Sequence, residues 1–390
     1  MHNIYYFFSH LLFRINYLWI GIFILSSCSS SFDTSYINKR INFSKDLINL
    51  SKNLKWVSSI GTESNSNFYP VVLNNEIYAT TPDGFIGKFD LLNGNIIWKI
   101  SVPMRLTTGP ATDGSTIVVI SEEGEIFAFN DKGLLKWSKK SKGTTNITPI
   151  INNGIVIVQS GNDALQAFDV DNGENLWIIP EKSSVSNRLN IASKMIVIDN
   201  LLITGTENGK LLAVDIRTGV IQWNCSIMNS HNIDYQDHLI NIIGSPLIID
   251  NIICAAAYKG CISCFDTLNE GRIIWNNYLN KIKGITSDKD FIYSISDDNL
   301  ISSLSLHNGE FIWNQTILKN CQLTAAPVII GDIMAISDSE GYLYCISKNN
   351  GFLIDSFFLG KRSVISSIVS TQQGFLIQSN DGNLMLINYP

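Results

Sequence analysis

The chain has 390 residues, 45% of them hydrophobic and only 16% charged, with a formal net charge of −6. That is ample chain for a large core, and the acidic balance with no basic stripe argues against a nucleic-acid-binding protein. The one basic cluster, Lys136, Lys139, Lys140 and Lys142, reads as a solvated edge beside a turn.

The N-terminus differs from the rest. Arg14 precedes an apolar run from Ile15 to Leu25, too short to span a bilayer but the right length for a signal-peptide core. The run ends in Leu25-Ser26-Ser27-Cys28, which resembles the bacterial lipobox. That resemblance implies a signal peptide over residues 1–27 and a lipidated Cys28, with Ser29 directing the protein to the outer membrane. Acyl chains on Cys28 would anchor it firmly, each buried methylene contributing about 0.8 kcal/mol. Residues 28–51 are polar, rich in Ser, Asn and Lys, and read as a tether.

From residue 52 to 390 one pattern repeats. An apolar run ends in Asp or Asn, a short turn with Gly follows, and a second apolar run ends in Trp. Leu211 to Trp223 is the clearest copy, and others run from Phe85, Ile126, Leu165, Ile262 and Leu300. A seventh copy has Asp355 where the Trp should stand, and an eighth begins at Asp381. Each copy is a β-hairpin. Trp56, Trp98, Trp137, Trp177, Trp223, Trp275 and Trp313 are spaced by 42, 39, 40, 46, 52 and 38 residues. A strand-rich unit near 40 residues is the mark of a β-propeller blade. A shorter strand pair opens the units, introduced by Pro70, Pro110, Pro149, Pro246 and Pro327, which brings each unit to the four strands of a blade. The eighth hairpin lacks its last strand, and Leu54-Lys55-Trp56 is a last strand with no hairpin before it. The expected fold is therefore all-β: an eight-bladed β-propeller closed by an N-terminal strand that completes the last blade.

The repeated residues have structural readings. The seven Trp are expected to wedge between neighbouring blades, each burying roughly 200 Å². Gly supplies the positive φ of the hairpin turn. The recurrent Asp90, Asp169, Asp215 and Asp266 are expected to cap the turn backbone rather than act in catalysis. Blade seven, without its Trp, is expected to be the loosest.

Six cysteines follow Cys28. Cys261 and Cys264 form a CxxC pair, but residues three apart in a strand point to opposite faces, which excludes a shared metal or dithiol. Cys254 and Cys264 flank a turn symmetrically, so a disulfide between them is open. Buried free thiols are the preferred expectation.

Two copies are long. The extra residues lie in Glu181–Ser193 and Ile227–Gly244, both leading into a new blade. Insertions at equivalent points of successive repeats fall on one face, commonly the binding face. The second contains His231, Asp234, Asp237 and His238, but no regular element fixes their spacing, so no metal is expected. Motifs for a nucleophile elbow, a phosphate loop or a zinc protease are missing from the sequence.

The repeat G-x-[IL]-x-A-x-D-x-x-[TN]-G-x-x-x-W resembles that of the pyrroloquinoline-quinone propeller family, which includes dehydrogenases and non-enzymatic members. The vicinal Cys pair of the dehydrogenases is missing here. Lipobox, size, eight repeats, closing strand and the two long loops together resemble the BamB family of outer-membrane lipoproteins. That resemblance implies a non-enzymatic scaffold without cofactor, lipid-anchored on the periplasmic face of the outer membrane. It would dock the POTRA domains of BamA alongside other subunits of the barrel assembly machinery and aid the insertion of unfolded β-barrel clients. It places the contact at Leu189, with Arg188 or Asn190 beside it, and in the segment Asp234–Asn241, including Asp237. The rival readings are a quinone-dependent dehydrogenase or cofactor-binding propeller using the central funnel, and a lipoprotein with a glycan ligand.

Overall fold

The computed structural model describes residues 53–160, 163–180, 193–206, 209–227, 241–258, 260–324, 326–360 and 365–388. Cys28, the tether, Arg188, Leu189, Asn190, Asp234, Asp237 and both loop histidines lie outside the described residues.

Those residues form eight antiparallel sheets of four strands, a ring of eight blades. Seven blades are sequential. Blade 4, for instance, runs Ile196–Ile198, Leu201–Gly205, Lys210–Asp215 and Ile221–Ser226 from axis to rim. The second and third strands are the most apolar and the most covered, as Thr116–Ile120 of blade 2 is throughout, because they sit between neighbouring sheets. The fourth strands alternate or stay largely exposed, which is the pattern of an edge.

Blade 8 is built from both ends of the propeller sequence. Ile365–Thr371, Gly374–Ser379 and Asn383–Ile387 supply three strands, and Leu54–Ser59 supplies the fourth. Trp56 lies opposite Leu386 and Ser58 opposite Leu384. The closure expected from the sequence is the one observed, and it joins the two ends of the propeller sequence by backbone hydrogen bonds within blade 8.

Each tryptophan docks on the turn between the third and fourth strands of the next blade. The indole N–H of Trp56 donates to the Leu91 carbonyl at 3.0 Å, and that of Trp137 to Val170 at 3.0 Å. Trp98, Trp177, Trp275 and Trp313 repeat the contact on Asp131, Ile216, Leu306 and Lys348. Trp223 meets a turn with one extra residue, folded as a 3-10 turn over Thr267–Asn269, and packs its ring on Gly271. The turn glycine therefore has two duties. Gly173 holds φ at +69°, and a Cβ there would lie 2.7 Å from Trp137. The acids are caps, as the sequence suggested: Asp215 Oδ1 accepts from the Arg217 and Thr218 amides at 3.0 and 2.9 Å. These hydrogen bonds hold its carboxyl below the usual carboxylate range.

The missing Trp of blade 7 now has a physical reason. In blade 8 no turn joins the third strand to the fourth, because they come from distant parts of the chain. An indole at Asp355 would have no turn to dock on. The boundary is filled instead by Phe357, Leu343 and Cys345 of blade 7 against Ile368, Phe375 and Met385 of blade 8.

One preference is corrected. Cys254 and Cys264 are not free thiols but a disulfide. They are directly opposite on the second and third strands of blade 5, with Cα atoms 4.1 Å apart, so their side chains share a face. Cys261 is on the other face, packed with Ile203 and Ile253, whereas Cys264 packs with Trp275 and Ile292. Cys225, Cys261, Cys321 and Cys345 remain free.

Candidate functional site on the inter-blade face

The ring has two faces. The tight, repeated hairpin turns lie on one. The connections between blades lie on the other, and these differ from blade to blade. The described roots of the two insertions belong to this second face and are tied together. The Lys194 amide donates to the Gly244 carbonyl at 2.7 Å, and Ser193 bridges Gly244 in parallel. The root that leaves the first insertion is thus bonded to the root that leaves the second. At its start, the second insertion is held by Ile227, whose carbonyl accepts from Ser263 Oγ at 2.6 Å. At its end, the Asn241 carbonyl accepts from the Tyr258 amide at 3.0 Å.

Asn241 is the one residue of the expected contact set that is described. It is only 3% exposed, and its Oδ1 has no hydrogen-bond partner among the described residues. In this conformation it belongs to the base of the loop rather than to its outer surface. The first strand of blade 5 begins at Ile242, so the second insertion is shorter at its end than the repeat spacing implies.

Beside these roots the axial channel widens into a cavity of about 370 Å³. Its walls come from the stretches that lead into six blades: Tyr69 of blade 1, Thr148 of blade 3, Lys194 of blade 4, Ile243 of blade 5, Ile282 of blade 6 and Leu323 of blade 7. Lys194 reaches across the axis to stack its ammonium on the Tyr69 ring, 3.0 Å from the centroid. Each partner is held by its own backbone device. Lys194 hangs from Gly244, which takes φ +65° at a strand irregularity. Tyr69 passes so close to Gly109 that a Cβ there would lie 2.3 Å from the Tyr69 carbonyl oxygen. Burial lowers Lys194 to about 7 and pushes the Tyr69 hydroxyl up. The other lysine of the wall, Lys283, is occupied by Asn299 Oδ1 at 3.0 Å and the Leu323 carbonyl at 3.2 Å.

Sequence reasoning missed this pair. Tyr69 and Lys194 are 125 positions and three blades apart, and neither belongs to the repeated motif. The departure of Lys194 from an otherwise apolar strand approach was the only local signal. Among the described residues, no three His, Cys, Asp or Glu are grouped as metal ligands.

Comparison with known proteins places the chain among relatives of like size. The sequence model of the family described as outer membrane protein assembly factor BamB matches residues 82–315. A protein of that description from Bordetella pertussis (strain Tohama I) is 36% identical over 369 residues, which cover 94% of this chain and 95% of that protein. The crystal structure of BamB from Moraxella catarrhalis superposes with a TM-score of 0.75 at 21% identity, covering 86% of this chain and all of that one. Quinohemoprotein alcohol dehydrogenase from Comamonas testosteroni superposes with a TM-score of 0.64 over 86% of this chain and 76% of that one. At 12% identity that likeness shows the ring architecture and not the chemistry.

Proposed function

Because this chain belongs to the family of outer membrane protein assembly factor BamB, we propose that it is a non-enzymatic scaffold of the outer-membrane β-barrel assembly machinery. The observation that carries this reading is 36% identity over 94% of the chain to a protein described as an assembly factor. In this reading Cys28 carries the lipid that holds the propeller at the periplasmic side of the outer membrane. The ring supplies rigidity, and the two insertions, rooted side by side through Lys194 and Gly244, form one composite surface for the POTRA domains of BamA. An aliphatic anchor at Leu189 contributes burial, and polar neighbours at Arg188, Asn190, Asp234 and Asp237 set orientation.

The test is a pull-down of BamA with the purified lipoprotein and its Leu189→Asp variant. The variant is expected to melt like the parent and to weaken binding by more than about 2 kcal/mol, the size of an interface hot spot. Equal recovery of BamA by both would remove Leu189 from the interface.

A further inference from the structure

Going beyond the docking role, we infer that the axial cavity is a binding site for a small organic carboxylate, held by Lys194 and seated against an apolar wall. The inference rests on what the cavity contains. Among the described residues its lining has two lysines and not one Asp or Glu. Lys283 has its protein partners, while among the described residues the Lys194 ammonium has only the Tyr69 ring. An ammonium that is mostly surrounded by protein, with no carboxylate beside it among the described residues, either releases its proton or takes up an anion.

The rest of the wall suits such an anion. Tyr69, Asn146 and Thr148 line the cavity, and their side chains make no hydrogen bond to described residues. They come from the approaches to blades 1 and 3 and share the cavity with Lys194 of blade 4, so polar groups without a described partner line the same hollow as the lysine. Ile243, Ile282 and Leu323 supply the apolar side. A few convergent polar groups in a mainly apolar hollow of a few hundred cubic ångströms is the usual make-up of a small-molecule site. Inorganic phosphate would leave the apolar wall uncovered, and a neutral ligand would leave the ammonium unpaired. A monocarboxylate with an aromatic or aliphatic body satisfies both.

Binding should depend on pH. The titratable groups facing Lys194 are Tyr69 from blade 1, Tyr258 from blade 5 and Lys283 from blade 6, and the linings from blades 3 and 7 contribute none. Burial pushes the Tyr69 hydroxyl up and lowers Lys194 to about 7, so Lys194 sets the profile in the unliganded protein.

The experiment is calorimetric titration of the full lipoprotein in detergent with benzoate, benzyl alcohol and inorganic phosphate. At about pH 6 benzoate is expected to bind, and the other two probes to bind at least about tenfold more weakly. At about pH 9 benzoate affinity should fall about tenfold or more. Lys194→Met should abolish the difference between benzoate and benzyl alcohol. Lys194→Arg should keep benzoate binding and remove the pH dependence, since a guanidinium stays charged throughout. This second variant separates loss of charge from loss of fold. No heat from benzoate at concentrations on the order of 10 mM, or equal binding by the Met variant, or phosphate binding as well as benzoate, would each overturn the inference.

Discussion

The two faces of this propeller follow opposite rules. On the hairpin face blades 1 to 7 repeat the same few atoms: a polar residue opening a turn, in four of them an acid that caps it, a glycine with positive φ, and an indole from the preceding blade set on that glycine. On the inter-blade face no connection copies its neighbour; two carry long insertions, and a lysine crosses the axis to a tyrosine three blades away. The comparison teaches where to look for structure and where for function. A contact made seven times serves the ring. A contact made once, such as Lys194 on Tyr69, has no such duty.

The largest expected effect comes from breaking the repeated face. Trp137 is 7% exposed and packs against Gly173 and Phe168 of blade 3. Trp137→Ala should cost about 3–5 kcal/mol in a denaturant melt. The converse change, Asp355→Trp, should add no stability, because blade 8 has no turn to receive the ring. A gain there comparable to the Trp137 loss would show that the wedge acts through burial alone and not through docking.

A pair of glycines sharpens the point. Gly173→Ala meets both a positive φ and the Trp137 ring at 2.7 Å, whereas Gly331→Ala meets φ +57° and open space. The second should cost about 1 kcal/mol and the first clearly more, up to about 3 kcal/mol. Equal costs in chemical denaturation would mean that the close approach to Trp contributes nothing.

The smallest effect belongs to the caps. Asp215→Ala removes two amide partners and should cost about 1 kcal/mol near neutral pH. The folded-state pKa is depressed, so the cap's contribution is present above the unfolded carboxylate value near 3.9 and is lost as pH falls through the lower folded value. The difference between parent and variant should therefore shrink below about pH 4. A gap that stays constant into strong acid would assign the stabilisation to something other than the carboxylate.

Legibility in the sequence divides along the same line as the faces. The fold was readable because the Asp-Gly-Trp hairpin recurs at a near-constant period, and because Trp56 stood without a hairpin before it while Leu384 and Leu386 stood without a strand after them. Register followed from alternation, which is why Cys261 and Cys264 separate as expected. The same register should have decided the disulfide. Cys254 and Cys264 are equidistant from the turn, and cross-strand opposition gives them one face. The preference for free thiols weighed the burial of cysteine above that geometry. The axial cavity was not readable at all. Its walls are short pieces of separated stretches leading into six blades, and only ring closure brings Tyr69 to Lys194.

The central claim is that the two insertions form one docking surface for the barrel-assembly machinery. The most direct test is crosslinking of the protein in its native envelope, followed by recovery and mass spectrometry of the linked peptides. The account predicts a POTRA-containing barrel protein linked through residues 181–193 and 227–244. Recovery of such a partner through the hairpin-face turns, with both insertions unlinked, would contradict it.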